Sequence, residues 1–344
     1  MGCSADRRLA ILAHDKFPNR AKTALGVMRY GTDEVVAVLD RATAGNRVHD
    51  YTETVPDAPI VEGVTDVPAA DALIVGIAPV GGGLEDSWRP DIRAALERGW
   101  DVIAGLHTFL ADDEEFAALA ADHGATIRDV RRPPNDLTVA EGVADQVDAH
   151  VVATVGTDCS VGKMTTTFEL VSALRDAGVD AAPIPTGQTG IMIEGWGYPI
   201  DRVVSDFVAG AVEELIRERG NTHDVLIVEG QGAITHPAYS AVTCGIVHGA
   251  MADAMILCHE AGRERVGSFE SFTIPPVEQT ASLYEALVKP VAPAPVVAAS
   301  VNTATAESDA QARKQVETVG DALSTPATDV IRFGPEPILE AIMP

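Results

Sequence analysis

Lysine is scarce in this chain. Of its 25 basic residues 20 are Arg and five are Lys, at Lys16, Lys22, Lys163, Lys289 and Lys314, with none between Lys22 and Lys163. Positive charge as a whole is short: 25 bases face 51 acids, a formal net charge of −26, so the average surface repels polyanions and argues against sequence-independent nucleic-acid binding. Cysteine is limited to Cys3, Cys159, Cys244 and Cys258, too far apart for a CxxC redox or zinc pair, and a chain of 344 residues needs no disulfide staples. No run of 18 or more apolar residues exists, and the run from Leu9 to Ala13 is too short for a signal-peptide core. The opening Met1-Gly2-Cys3-Ser4 resembles a lipidation start, but Asp6 stands where that pattern requires Ser or Thr. These absences lead us to expect a soluble, cytoplasmic protein with neither a membrane nor a nucleic-acid partner.

What is present is enough apolar material to fold: 46% hydrophobic against 22% charged residues, with acids spread along the whole length rather than gathered in a disordered tail. The acidity is the composition expected of a surface suited to very high salt, where counterions screen self-repulsion. At roughly 100 to 200 residues per domain, the length predicts two domains or one large one.

Short runs of Val, Ile and Leu alternate with helical stretches from end to end, which predicts an α/β fold of parallel sheets with crossover helices. Strands are expected at 9–13, 34–39, 72–77 and 101–104, and helices near 22–30, 90–99 and 113–124, with Gly99 and Gly124 as helix stops. The segment Arg131-Arg132-Pro133-Pro134-Asn135-Asp136 breaks this rhythm, because its prolines remove donors and force extended backbone. We place the domain boundary after it, giving residues 1–140 and 141–344. A second α/β rhythm follows, with strands at 151–155, 181–184, 224–228, 254–257 and 295–300. Its clearest helix carries Met164, Phe168, Val171 and Leu174 on one stripe.

The strongest signal is a strand, Val151 to Val155, followed by Gly156-Thr157-Asp158-Cys159-Ser160-Val161-Gly162-Lys163-Met164-Thr165 and that helix. Two glycines let backbone amides turn inward around a phosphate, the helix N-terminus adds its positive end, and Lys163 supplies a mobile charge. The spacing departs from GxxxxGK[ST]: five residues separate the glycines, and Met164 stands where a magnesium-binding hydroxyl usually follows Lys, leaving that role to Thr165 or Thr166 if metal binds.

Further candidates cluster at expected strand ends, where open α/β sheets bind ligands. Thr186-Gly187-Gln188-Thr189-Gly190 offers close backbone approach and side chains able to hold an anionic or amide substrate. Glu229 ends an apolar strand and resembles the acid that holds magnesium or its water beside a phosphate loop; Asp201 and Asp206 are further acidic candidates. His236 has a near-neutral pKa suited to taking a proton from an attacking amine. His259-Glu260, at the end of the next strand, is a similar pair; Ser240, Arg263 and Arg265 follow as candidate substrate contacts, the arginines because guanidinium matches carboxylate. Asn302 sits where related folds place an adenine-reading amide. In the first half, Gly81-Gly82-Gly83 is a candidate anion nest and His107 a candidate cleft residue, while no GxGxxG follows the first strand.

The GTDxxVGK form of the loop resembles dethiobiotin synthetase and related enzymes that activate carboxylates with ATP. A longer resemblance runs through GTDCSVGKMTT, Thr186 to Gly195, Asp201-Arg202, Asp206-Phe207, Val228 to Gly232, His236 to Ser240 and Leu257 to Glu260. It takes in Trp88-Arg89-Pro90-Asp91-Ile92 and Gly105-Leu106-His107 as well. Together these blocks resemble a two-domain P-loop family whose members include D-glutamate N-acetyltransferases, here in an acidic, haloarchaeal-type form. The resemblance implies a Rossmann-like N-terminal domain and a P-loop NTPase-like parallel-sheet domain related to dethiobiotin synthetase. It also implies acetyl-CoA as co-substrate and D-glutamate or a related amino acid as acceptor, with His236 or Glu229 as base and Lys163 or backbone amides facing the oxyanion. Two alternatives stay open. One is ATP-dependent carboxylate activation with magnesium held by Thr165, Asp206 and Glu229, and the other is a nucleotide-regulated binding module. A homo-oligomer is the expected assembly.

Overall fold

In the computed structural model, residues 7–343 are described apart from 78 and 80. Cys3 and the lipidation-like opening lie outside the described residues. The chain divides into two compact units, one of residues 1–133 with 188–199, the other of residues 134–187 with 200–344.

The first unit contains β1 (Arg8–Leu12), α1 (Lys22–Tyr30), β2 (Glu34–Leu39), β3 (Ile60–Val61), β4 (Ala72–Val75), α2 (Arg89–Glu97), β5 (Asp101–Ala104), α3 (Glu114–His123) and β6 (Ile127–Asp129). Its six strands are all parallel, in the order β3-β2-β1-β4-β5-β6. This doubly wound order puts a topological switch between β1 and β4. The strands read as continuous apolar runs because both faces are covered, and Leu9, Ile11, Leu12, Leu39, Leu73 and Ile74 are buried. Trp88 and Phe116 fill the helix layers of the same core. Asp113 caps α3 by accepting from the backbone N–H of Glu115 and Phe116, and Gly124 ends it at φ 69°.

The second unit contains β7 (His150–Gly156), α4 (Lys163–Asp176) and β8 (Ala181–Ile184). The chain then crosses into the first unit as α5 (Gln188–Glu194), where Ile191 joins the core. It returns at Ile200, whose N–H donates to Thr186 O at 3.0 Å and closes the excursion at its base. There follow α6 (Val208–Arg219), β9 (Val225–Val228), α7 (Ser240–Ala250), β10 (Ala254–Glu260), the hairpin β11 (Arg265–Val266) and β12 (Phe269–Thr273), α8 (Val277–Val288), β13 (Val296–Asn302), α9 (Asp309–Leu323), β14 (Ala327–Thr328) and α10 (Glu336–Leu339). The second sheet is also parallel, in the order β14-β13-β10-β7-β9-β8, with β7 near its centre. The expected stripe of α4 is buried at Met164, Phe168, Val171 and Leu174.

Several short elements escaped the sequence reading, namely β3, β6, β14 and the β11–β12 hairpin. Two- and three-residue strands carry too few residues for a periodicity to register, and most of the hairpin is solvent-exposed. The excursion 188–199 had no sequence signal either, since its apolar residues are as well suited to one core as to the other. No helix among the described residues is long and apolar enough to cross a membrane.

Candidate functional site

The loop leaving β7 is built on unusual backbone. Ser160 has φ 57° and Gly162 φ 111°, and Lys163 begins α4 directly after it. Lys163 is buried, and its Nζ donates to Asp158 O at 2.8 Å across the loop. A Cβ on Gly156 would lie 2.8 Å from that Nζ, so only glycine leaves the ammonium its place. Val161 is buried beneath the loop and Met164 beneath the helix.

The loop is pinned from all sides. Thr157 N–H donates to Cys258 O at 3.1 Å, and its hydroxyl pairs with His259 Nδ1 at 3.0 Å. The fully buried Asp158 accepts from Cys159 N–H at 2.7 Å, from Gly267 N–H at 2.8 Å and from Arg263 Nη1 at 3.3 Å. Arg263 also donates to Cys159 O at 2.8 Å and pairs with Glu260 at 2.7 Å, so its guanidinium is held by protein acceptors. Arg265 stands apart on the hairpin, donating to Thr273.

The second Thr of the loop is committed inside the fold. Thr166 donates to Ser300 Oγ at 2.7 Å and accepts from Cys258 Sγ at 3.6 Å. Burial pushes the Cys258 thiol up to about 11. Thr165 is half-buried and remains the hydroxyl nearest the loop's helix start.

Glu229 is buried at the end of β9, and its Oε2 accepts from the N–H groups of Thr186 and Gly187, both at 3.3 Å. Thr186 Oγ1 donates to Glu229 O at 2.6 Å, and Gln231 Nε2 donates to Thr186 O. Gly230 lies so close to β7 that an added Cβ would fall 1.8 Å from Thr154 O, and it would also lie 3.2 Å from Lys163 Cδ. The acid at the strand end and the lysine of the loop therefore flank one glycine.

His236 is buried among Tyr239 and Phe269, with ring centroids 4.7 Å and 5.2 Å away. Its Nδ1 accepts from Ala238 N–H at 3.1 Å, and Nε2 faces Asp158 Oδ1 at 3.8 Å. Burial first, and then the charge of Lys163, hold the ring below the usual histidine range against the opposing pull of Asp158. The same groups form the cluster Asp158, Cys159 and His236, whose ligand atoms lie within 4.8 Å of one another. It is poorly suited to metal: a ligating histidine donates from its other nitrogen, whereas here that nitrogen receives an amide N–H.

One residue the sequence did not single out ties these pieces together. Tyr284, from α8, is fully buried, donates to Gly156 O at 2.9 Å and accepts from Ile234 N–H at 3.0 Å. It bridges the start of the phosphate loop to the loop that bears His236. A single Tyr in an amphipathic helix reads as ordinary core, so no local signal could have found it.

The remaining candidates divide by surroundings. Asn302 ends β13 and its Oδ1 accepts from Ala304 N–H at 3.0 Å. Ser240 starts α7, its N–H donating to His236 O at 3.2 Å. Asp206 is exposed on a 3-10 turn before α6, and Asp201 lies on the preceding turn. The TGQTG segment is divided: Thr186 and Gly187 belong to the second unit, whereas Gln188, Thr189 and Gly190 begin α5 in the first. There Thr189 pairs with Thr23 Oγ1 at 2.9 Å, and Gly105 makes room for Gln188, whose Cγ would lie 2.9 Å from an added Cβ. In the first unit Gly82 O accepts from the N–H groups of both His107 and Thr108, and Gly82 N–H donates to Pro79 O. That amide closes the turn instead of opening a nest.

Comparisons with known proteins agree with this two-part architecture. Residues 138–339 match the model described as domain of unknown function DUF1611, P-loop domain, and residues 41–133 match its Rossmann-like N-terminal domain. A D-glutamate N-acetyltransferase of Tritonibacter scottomollicae is 33% identical over 323 residues, covering 94% of both chains. Another, from a Pseudoalteromonas species, is 35% identical over 271 residues, covering 78% of this chain and 80% of its own. The crystal structure of a DUF1611 family protein from Anabaena variabilis superposes with a TM-score of 0.93 at 36% identity, covering 98% of this chain and 99% of that one. A Rossmann-like unit, a P-loop unit and relatives matched over most of their length place the chain in the two-domain DUF1611 family.

Proposed function

We propose that this protein transfers the acetyl group of acetyl-CoA to the amine of D-glutamate or a related amino acid. The observation that carries this reading is the match, over 94% of each chain, to a D-glutamate N-acetyltransferase. The geometry supplies parts that suit it. The loop 156–163 offers a positive helix end and Lys163 to the phosphates of CoA, and Asn302 has an amide nitrogen without a hydrogen bond among the described residues to read adenine.

Glu229 is our choice of base over His236. With Nδ1 of His236 receiving an amide N–H, the uncharged ring carries its proton on Nε2, toward Asp158, and has no lone pair there to accept another. Glu229 takes a proton from the substrate ammonium, and the freed amine attacks the thioester carbonyl carbon. The C–N bond forms, the C–S bond breaks and CoA leaves as its thiol once protonated. Lys163 or the loop amides face the transient oxyanion. Arg263 and Thr186 already bond protein partners, so we assign them to shaping the loops, leaving Gly187 and Ser240 as the second unit's candidate substrate contacts.

The alternative is ATP-dependent carboxylate activation. The likeness of the loop to that of dethiobiotin synthetase and the buried Glu229 beside the lysine favour it. Its magnesium donors are few: Thr166 bonds Ser300 and Asp206 is exposed, which leaves Thr165 and Glu229, whose Oε2 also accepts from two backbone N–H groups. Incubation with D-glutamate and either acetyl-CoA or ATP–magnesium, following thiol and ADP separately, decides between them. Thiol release without ADP is expected, and ADP release overturns the transferase. Lys163→Ala is expected to abolish turnover; full activity in that variant removes the loop from the mechanism. The −26 charge leads us to propose that the protein works in concentrated salt. Equal thermal stability by circular dichroism with and without molar salt would contradict that.

A further inference from the structure

The first unit carries a cluster of polar groups that the proposed chemistry does not use, at the carboxyl edge of its sheet. His14 lies two residues beyond the end of β1 and is completely buried. Its Nε2 pairs with Asp91 Oδ2 at 2.9 Å. Asp91 comes from the first turn of α2, within the Trp88 to Ile92 motif, and its other oxygen accepts from Val64 N–H at 2.8 Å. Arg41, two residues beyond β2, donates to Asp91 Oδ2 at 2.9 Å and to Ser87 O at 2.9 Å. Burial pushes the Asp91 carboxyl up, but the bonds from His14 and Val64 with the charge of Arg41 hold it below the usual carboxylate range.

One buried atom of this cluster, Nδ1 of His14, has no hydrogen-bond partner among the described residues. Buried polar atoms are nearly always satisfied, so this orphan on the ring that holds Asp91 marks a place where a ligand or water completes the bonding. The neighbouring connection supplies charge. Lys16, Arg20 and Lys22 fall within seven residues between β1 and the start of α1, and none makes an ion pair among the described residues. In a chain with two acids for every base, three unpaired cations within one short connection stand out. Asp15, in the same connection, takes the left-handed φ of 59°, held by its N–H on Asp40. The whole arrangement lies beside the switch between β1 and β4, where doubly wound sheets bind ligands.

We infer that the first unit holds its own site for a small oxyanion, a carboxylate or a phosphate, with the His14–Asp91–Arg41 group as its floor and Lys16, Arg20 and Lys22 as its rim. The site is distinct in sequence from the phosphate loop, and no dinucleotide fingerprint is needed because side chains, not glycine amides, supply the charge.

The test uses the full chain with imidazole ¹⁵N labelling, His14 being assigned by the resonance lost in His14→Gln. Inorganic phosphate, D-glutamate, CoA and dephospho-CoA are titrated separately into wild type, into Lys163→Ala, and into the triple variant Lys16→Gln, Arg20→Gln, Lys22→Gln. We expect at least one anion to move the His14 signal in both wild type and Lys163→Ala, with affinity at least tenfold weaker in the triple variant. The active anion distinguishes the sources: D-glutamate alone marks a carboxylate site, and CoA without dephospho-CoA marks its 3′-phosphate. A His14 signal unmoved by all four at saturation, or equal affinity in the triple variant, overturns the site. The three rim substitutions alter side chains without ion pairs, and a wild-type circular dichroism spectrum confirms that the comparison is made on folded protein. The outcome is independent of the transferase reading, which thiol release tests.

Discussion

Each unit builds its candidate site at the carboxyl edge of a parallel six-stranded sheet, but from different material. In the second unit the edge is made of backbone: Gly156 and Gly230 clear space, Gly162 takes a left-handed φ, and Asp158, Glu229 and Tyr284 are bonded to amides or carbonyls of the loops themselves. In the first unit the edge is made of side chains from two connections and the start of α2, His14, Arg41 and Asp91, with Lys16, Arg20 and Lys22 following His14 in sequence. A site made of backbone tolerates almost no added atoms, while one made of side chains tolerates changes in shape but is sensitive to changes in charge.

Glycine substitutions probe that contrast most strongly. Gly230→Ala would push a Cβ to 1.8 Å from the carbonyl oxygen of Thr154, a backbone atom of the central strand that has no room to retreat. A loss of about 3 kcal/mol or more is expected, read as a large fall in Tm together with loss of activity. Gly81→Ala, in the first unit at φ 84° with nothing within 4 Å of its added Cβ, meets only the left-handed backbone cost of about 1 to 2 kcal/mol. Equal effects of the two would break the contrast.

Tyr284→Phe is the next largest. It leaves Gly156 O and Ile234 N–H buried without their shared partner, for a cost of about 1–3 kcal/mol. Because the hydroxyl joins the phosphate loop to the His236 loop, the KM for acetyl-CoA is expected to rise several-fold even at temperatures where the variant is fully folded. A fall in Tm with unchanged KM would make Tyr284 a core residue only.

These two cases show what was legible in the sequence. The phosphate loop was, because its strand, glycines, lysine and amphipathic helix are contiguous and each residue type has a local physical reason. The place of Glu229 was also legible, as the acid ending an apolar run. Tyr284 was not, since its role depends on Gly156 and Ile234, 128 and 50 residues away. The floor of the first unit's cluster joins positions 14, 41 and 91, and only the fold brings them together. The central strand positions matched the structure closely because buried parallel strands are continuous apolar runs, whereas the exposed β11–β12 hairpin over the loop gave no such run.

The two regions also titrate in different windows. Burial lowers the pKa of His236 and His259, so below about 6.5 the unfolded chain binds more protons than the folded one and stability falls with falling pH. Asp91 in the first unit is held low instead, so its contribution is present above the ordinary carboxylate range near about 4 and is lost only in stronger acid. Hydrogen exchange near pH 5.5 should therefore speed in peptides covering β10 and the His236 loop before those covering β1 and α2. Parallel loss in both regions would show that neither group governs its own surroundings.

The smallest expected effect separates a turn from a ligand contact. Asn302 Oδ1 caps Ala304 N–H, so Asn302→Asp keeps that acceptor and replaces the amide donor by a negatively charged oxygen, while Asn302→Ser, run beside it, removes the amide without adding charge. The Tm of Asn302→Asp should stay within a degree or two of wild type, because the buried anchor of this connection is Thr303 on Asp329 and is untouched. If Asn302 reads adenine, losing one hydrogen bond worth about 1 kcal/mol raises the KM for acetyl-CoA roughly fivefold and leaves kcat alone. An unchanged KM would assign Asn302 to the turn, and the second unit's recognition of its nucleotide would then rest on the phosphates alone. That would make the two units more alike, each an oxyanion site at a sheet edge, and would shift specificity to whichever groups meet the acceptor amino acid.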